Sequence, residues 1–326
     1  LAGMADANCI WPVITCPPAS DAFGGADVYS SLRMPSGVAP LVVLEPANAA
    51  LAAAFVITAC GGTEATDAPK VYTYKDMVVG FLQTGSEGGW RAANTASFKE
   101  TAEQLGITLK FYDSQNDLAK QVAGFRQFIQ DPDVNVIVLA ALETTGWDDV
   151  LKEAKAAGKI VVLEDRRIDA ADDLYATYIG SDFAEEGRKS ADEICKLLAN
   201  SASKNVWELV GNVGSSAAKD RGQGFREKMG DCGITVTKSQ TANWSISEGK
   251  QVTEAWLKET KDVQGIFGQN DEMAFGAIEA LKEAGLVPAK DVFLISVDAT
   301  SGAFQAMLDG TLSVTVECNP LLAPQV

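Results

Sequence analysis

Val78-Val79-Gly80-Phe81-Leu82 ends abruptly in Gln83-Thr84-Gly85-Ser86-Glu87-Gly88-Gly89-Trp90-Arg91. A short apolar run breaks into polar, glycine-rich and aromatic residues, and a helical pattern follows. The same change recurs along the chain. Ile160-Val161-Val162-Leu163 meets Glu164-Asp165-Arg166, Gln264-Gly265-Ile266-Phe267 meets Gln269-Asn270-Asp271, and Phe293-Leu294-Ile295-Ser296-Val297 meets Asp298. In an open parallel α/β sheet, ligands bind beyond the carboxyl ends of the strands. The polar groups of two half-chains are therefore already sorted to the edge where a ligand sits.

Outward from these points, strand and helix patterns alternate without interruption from about Met77. The first series predicts strands at 77–82, 107–112, 134–140, 160–164 and 174–180, with helices at 88–105, 116–130 and 145–157. The second predicts helices at 183–199, 216–230, 246–260, 271–285 and 301–309, with strands at 205–210, 233–238, 263–268, 291–297 and 312–317. Near-continuous apolar strands alternating with helices predict parallel sheets covered on both faces. Asp182-x-x-Glu185 and Ser245-x-x-Glu248 have the spacing of capping boxes, and Gly285 marks a helix end. The fold class is α/β: two similar doubly wound parallel-sheet lobes joined by hinge strands at 174–180 and 312–317. The first lobe takes 77–177 and 318–326, and the second 178–317.

The first fifty residues are rich in Ala, Pro and Gly and show no sustained period. Leu51 to Ala59 is an apolar run of signal-peptide length, too short to span a membrane. Its end, Ile57-Thr58-Ala59-Cys60, resembles the lipobox of bacterial lipoproteins, in which a lipid is attached to the cysteine. Residues 1–60 thus read as a signal or upstream segment ending at a lipidated Cys60, and 61–76 as a polar tether. No basic residue lies between Met34 and Cys60, so residues 1–50 depart from a signal peptide and read as mis-called or fused upstream sequence.

The 326 residues carry 27 basic against 44 acidic side chains, a net charge of −17. Such a surface argues against nucleic acid or an anionic membrane face as partner. There is no histidine, which removes the commonest general base and metal ligand. The six cysteines form no CxxC pair, so neither metal nor cofactor is expected. Cys195 and Cys232 pair in an oxidising compartment or stand as small buried residues; the second reading is the expectation.

Gly85-Ser86-Glu87-Gly88-Gly89-Trp90-Arg91, Thr145-Gly146-Trp147, Asp165-Arg166, Asp220-Arg221, Asn270-Asp271 and Val297-Asp298 occur in this order. As an ordered set they resemble the periplasmic sugar-binding proteins of ABC importers, the type I ribose/galactose group, and within it the galactofuranose-binding branch. The resemblance runs from about 77 to 324. It implies a monomeric extracytoplasmic receptor, periplasmic or at the cell surface, that binds a monosaccharide such as galactofuranose or another aldose and hands it to an ABC permease. The membrane is touched only through the lipid on Cys60. It also implies a ligand set: Ser86, Glu87, Trp90, Arg91, Asp165, Arg166, Arg221, Trp244, Asn270, Asp298 and Glu317. Relatives continue past Pro324 with a helix and a third crossing strand, so the first lobe is expected to be incomplete.

The residue types suit a sugar. Arginine forks and carboxylates hold adjacent hydroxyls by paired, charge-assisted bonds, and indoles supply flat apolar faces. Glu87, Asp165 and Asp298 are in principle the paired carboxylates of a glycosidase. Arg166 and Arg221 are expected to keep them ionised, which deprives a general acid of its proton. Gly85 to Gly89 lacks dinucleotide-loop spacing, and no enzymatic activity is expected. Competing readings are a sugar receptor for a chemotaxis or sensor-kinase domain, and the sugar-sensing half of a LacI-type regulator. The latter needs a DNA-binding helix-turn-helix ahead of the first strand, which 60–72 is too short and acidic to supply.

Overall fold

Strand and helix alternate into two parallel five-stranded sheets, each flanked by helices. The computed structural model describes residues 73–85 and 88–326, together with the two-residue strands Ile14–Thr15 and Leu41–Val42. Cys60, Ser86 and Glu87 lie outside the described residues. The chain divides into two compact units, Leu1–Met77 with Pro324–Val326, and Val78–Ala323. In the first, the two short strands pair in parallel, and Thr73 and Asp76 cap the 3-10 turn Tyr74–Asp76. The second unit holds both sheets.

The first lobe comprises β1 (Val78–Gln83), α1 (Gly89–Leu105), β2 (Thr108–Asp113), α2 (Leu118–Gln130), β3 (Val136–Leu139), α3 (Asp148–Ala156), β4 (Ile160–Glu164) and β5 (Thr177–Ile179). Its sheet order is β2-β1-β3-β4-β5. The second lobe comprises α4 (Phe183–Leu197), β6 (Asn205–Val210), α5 (Ser216–Met229), β7 (Thr235–Thr241), α6 (Ile246–Glu259), β8 (Gly265–Gly268), α7 (Asp271–Glu283), β9 (Phe293–Asp298), α8 (Ser301–Leu308) and β10 (Val314–Glu317). Its order is β7-β6-β8-β9-β10. The two orders are the same when each lobe is numbered from its own first strand. In such doubly wound sheets the ligand crevice lies where the order reverses, at the carboxyl ends.

Local sequence accounts for these elements. Val136–Leu139 is buried throughout, as a strand covered on both faces must be. Asp182 Oδ1 accepts from Glu185 N at 2.9 Å and Ser245 Oγ from Glu248 N at 3.4 Å, so the N-cap half of each expected box starts α4 and α6, while Glu185 instead accepts from Arg188 and Glu248 from Asn243. Gly285, at φ +77°, ends α7 in the left-handed conformation that glycine takes without strain. Each lobe has its own core. Phe125, Trp147 and Leu151 are fully buried in the first; Trp207, Phe225 and Phe267 are in the second, where the last two rings stack at 4.5 Å. Helices α4 and α5 touch backbone to backbone: a Cβ on Gly224 would lie 1.9 Å from the Ala184 carbonyl oxygen.

Two details depart from the sequence reading. The strand expected to divide at 177/178 belongs wholly to the first sheet, because Tyr178 and Ile179 pair with Leu163 and Glu164. The chain therefore passes between lobes after Ile179. Cys195, at the end of α4, is disulfide-bonded to Cys232, in the 3-10 turn after α5, across a Cα–Cα distance of 5.7 Å. The expectation of two unpaired cysteines is thus corrected. Burial favours unpaired thiols in general, but here two helix ends bring the sulfurs together.

Candidate functional site

The strand ends of both sheets converge on one cavity of about 340 Å³, open mouth included. It is lined by Trp90 and Arg91 from the start of α1, Asp165 and Arg166 after β4, Ala217 and Arg221 of α5, Trp244 after β7, Asn270 ahead of α7, Asp298 at the end of β9, and Cys318 after β10.

Each sheet contributes an arginine–carboxylate pair. Arg91 Nη2 donates to Asp165 Oδ2 at 2.6 Å, with both side chains buried. In the second lobe Arg221 Nη2 lies 3.5 Å from Asp298 Oδ1, while its Nε donates to Glu186 Oε2 and its Nη1 to the Gln269 carbonyl, both at 2.8 Å. The indoles form the walls. The Arg166 and Arg221 guanidinium carbons each lie 5.7 Å from the centroid of Trp244, and that of Arg91 lies 4.7 Å from Trp90. Trp90 reaches across to the core of the second lobe and donates from Nε1 to the Cys318 carbonyl at 2.7 Å. Asn270 Oδ1 is committed to capping α7, whereas Nδ2 makes only a long 3.5 Å contact with the Trp244 carbonyl.

The backbone is strained where these groups are presented. Asp165, Trp244 and Asp298 have φ of 59°, 61° and 120°. Positive φ is uncommon outside glycine, and for a bulky residue such as tryptophan it is an outlier.

Charge is handled unevenly. Burial pushes the Asp298 carboxyl well above the ordinary range, and Asp271, Glu186 and Asp165 add to the rise against the opposing pull of Arg221. Arg221 thus opposes the burial that raises Asp298 without cancelling it. Behind Asp165, the fully buried Glu164 accepts from Asn94 Nδ2 at 3.2 Å, and Asn94 Oδ1 accepts from Gln83 Nε2 at 2.8 Å. Burial, then the Asp165 charge, raises Glu164 to about 8. Its folded pKa exceeds its unfolded one, so the native state holds the extra proton. That stability is fully present below about 4.5 and is lost as pH rises through about 8. Glu164→Gln is expected to flatten this decline, measured as denaturant midpoints from pH 5 to pH 9; an unchanged slope would contradict it.

Residues 79–322 match the periplasmic binding protein domain family. The chain belongs to this family. A galactofuranose-binding protein of Escherichia coli (strain K12), YtfQ, is 41% identical over 252 residues, covering 76% of this chain and 79% of the relative. A Mycobacterium smegmatis structure in complex with β-D-fucofuranose matches with a TM-score of 0.74 and 43% identity, over 76% of this chain and 83% of that one. The binding component of an arabinose ABC transporter from Shewanella sp. ANA-3, bound to α- and β-L-arabinofuranose, matches with a TM-score of 0.73 and 42% identity, over 76% and 82%. Residues 1–75 match the AIR carboxylase family, a stretch that includes the apolar run and Cys60.

Within this periplasmic binding protein, most of the expected ligand set shares the cavity: Trp90, Arg91, Asp165, Arg166, Arg221, Trp244, Asn270 and Asp298. Glu317 does not. It pairs with Asp298 in register but is exposed, and the next residue, Cys318, is buried against the cavity instead. Side chains alternate along a strand, so an error of one residue changes the face. Ala217 and Cys318 carried no signal in the sequence. Nor did Gly211, where a Cβ would lie 2.0 Å from the Trp244 ring. Gly211→Ala is expected to displace that indole and weaken ligand binding about tenfold or more, since inserting a methyl into packed structure costs about 1–3 kcal/mol. Titration of the variant by calorimetry checks this; native affinity would show that Trp244 does not set binding.

Proposed function

We propose that the chain is an extracytoplasmic solute-binding protein that closes on a monosaccharide in furanose form, galactofuranose or another aldose, and delivers it to an ABC permease. One observation carries the reading. Two buried arginine–carboxylate pairs, Arg91–Asp165 and Arg221–Asp298, face one cavity from opposite sheets between two indole walls. Such forks suit adjacent hydroxyls, and the indoles suit the ring's C–H face. The names of the relatives point the same way: fucofuranose, arabinofuranose and galactofuranose. The role is capture and release without turnover, by a monomer. The disulfide suits an oxidising compartment outside the cytoplasm. A lipid on Cys60, with 61–76 as tether, completes the proposal.

Calorimetry with furanose-forming sugars, against pyranose-locked glycosides as controls, tests the ligand. Heat with at least one furanose former supports it, and no response to any sugar would sink it. Mass spectrometry of membrane-extracted protein tests the anchor: a diacylglyceryl adduct at Cys60 is expected, and an unmodified Cys60 overturns it.

A further inference from the structure

Hydrogen bonds cross the cleft from one lobe to the other on both rims. On one rim Thr144 N donates to the Gly214 carbonyl at 2.8 Å, and Arg167 N donates to Ser216 Oγ at 2.9 Å. On the other, Gly89 N, the first residue of α1, donates to Glu272 Oε1 of α7 at 3.0 Å. This third bond differs in kind, because it brings a carboxylate of the second lobe to a helix N-terminus of the first.

The start of α1 is unusual within this chain. Its N-cap, Gly88, has no side chain to offer, and no acidic residue stands in its first turn. Helices α2, α4, α5, α6, α7 and α8 each begin with a side chain that accepts from their own first turn, and α3 has Asp148 and Asp149 there. Among the described α-helices, α1 alone has neither. The first-turn N–H groups of a helix lack intrahelical partners, and with the positive end of the dipole they favour a carboxylate at this point. Glu272 supplies it from across the cleft. The seat is shaped for it: a Cβ on Gly88 would lie 2.6 Å from Glu272 Oε1. The next residues of α1, Trp90 and Arg91, line the cavity, whereas Glu272 does not.

We infer that Glu272 is a positioning residue, a carboxylate that caps α1 from the opposite lobe and holds the cleft shut around the ligand. It touches no ligand and acts by raising the population of the closed state that seats Trp90 and Arg91. A ligand's apparent dissociation constant scales inversely with that population. The inference builds on the sugar-binding reading above, so its test has an arm that needs no sugar.

The test uses the full chain, with Glu272→Gln and Glu272→Ala. Stopped-flow binding of a furanose sugar identified by calorimetry is expected to show an off-rate raised about three- to tenfold in Glu272→Ala, with the on-rate within about twofold of native. Glu272→Gln keeps an acceptor without the charge and falls between. A purely local role in the first turn of α7 would leave the off-rate unchanged. In the second arm, nitroxides on azide-bearing residues at exposed positions 120 and 305 report the distance between lobes without sugar. Native protein is expected to show more of the short-distance population than Glu272→Ala. Equal off-rates or equal distance distributions would overturn the latch. If native protein binds no sugar at all, the proposed function falls, and the distance distributions alone decide the latch.

Discussion

Replacing Arg221 with methionine is expected to weaken sugar binding by about ten- to a hundredfold. A hydrogen bond to a charged group contributes about 1.5–3 kcal/mol, and each 1.4 kcal/mol is a factor of about ten in affinity. Arg221 bridges Glu186, the Gln269 carbonyl and Asp298, so its fork also orients the acceptors that a hydroxyl would meet. Methionine fills much of the same volume but leaves Glu186 beside an empty donor position. Breaking a buried pair by removing one partner costs about 3–5 kcal/mol, so the melting temperature should fall as well. Arg221→Lys separates the two effects. It retains the charge, and hence much of the stability, but loses the planar fork, so affinity should still drop. Calorimetric titration beside thermal unfolding reads both. Binding within threefold of native in the methionine variant would mean that the second-lobe pair is structural and that the ligand is held elsewhere.

The second large effect is on folding. Cys195 and Cys232 are 37 residues apart in sequence. Closing a loop of that length restricts the unfolded chain by about 4 kcal/mol in the loop-entropy account. The double variant Cys195→Ser, Cys232→Ser should lose a stability of that order in urea, with the affinity of the folded fraction unchanged, because neither sulfur lines the cavity. Reductant should reproduce the loss in native protein and leave the double variant unaffected. Equal midpoints for native and variant protein would contradict the bridge.

The fold was legible because burial on both faces makes each strand a continuous apolar run, and because turns such as Asp182 and Ser245 announce their helices chemically. Predicted and observed elements differ by up to three residues at their ends, as at Asp148, Thr177 and Thr241. Much of the site was legible for a related reason: a parallel sheet delivers whatever follows each strand to the same edge. What escaped lay where no chemical contrast exists. Ala217 and Gly211 matter through the space they leave, and space belongs to the neighbours. Glu317 was expected in the site from the resemblance alone; in the structure it is exposed, and Cys318 is the residue buried against the cavity. The rise at Asp298 was hidden because a sequence shows the arginine nearby but not the loss of water.

The left-handed backbone at Asp165, Trp244 and Asp298 bears on how this protein can change its ligand. Aspartate, asparagine and glycine tolerate such a conformation, and β-branched residues do not. Substitution at Asp165 and Asp298 is therefore confined to a narrow chemical alphabet, whatever hydroxyl pattern a new sugar presents. Arg91, Ala217 and Cys318 stand on backbone with no such restriction. Adaptation to a different epimer, in nature or by directed evolution, should accumulate at these permissive positions while the strained ones stay fixed.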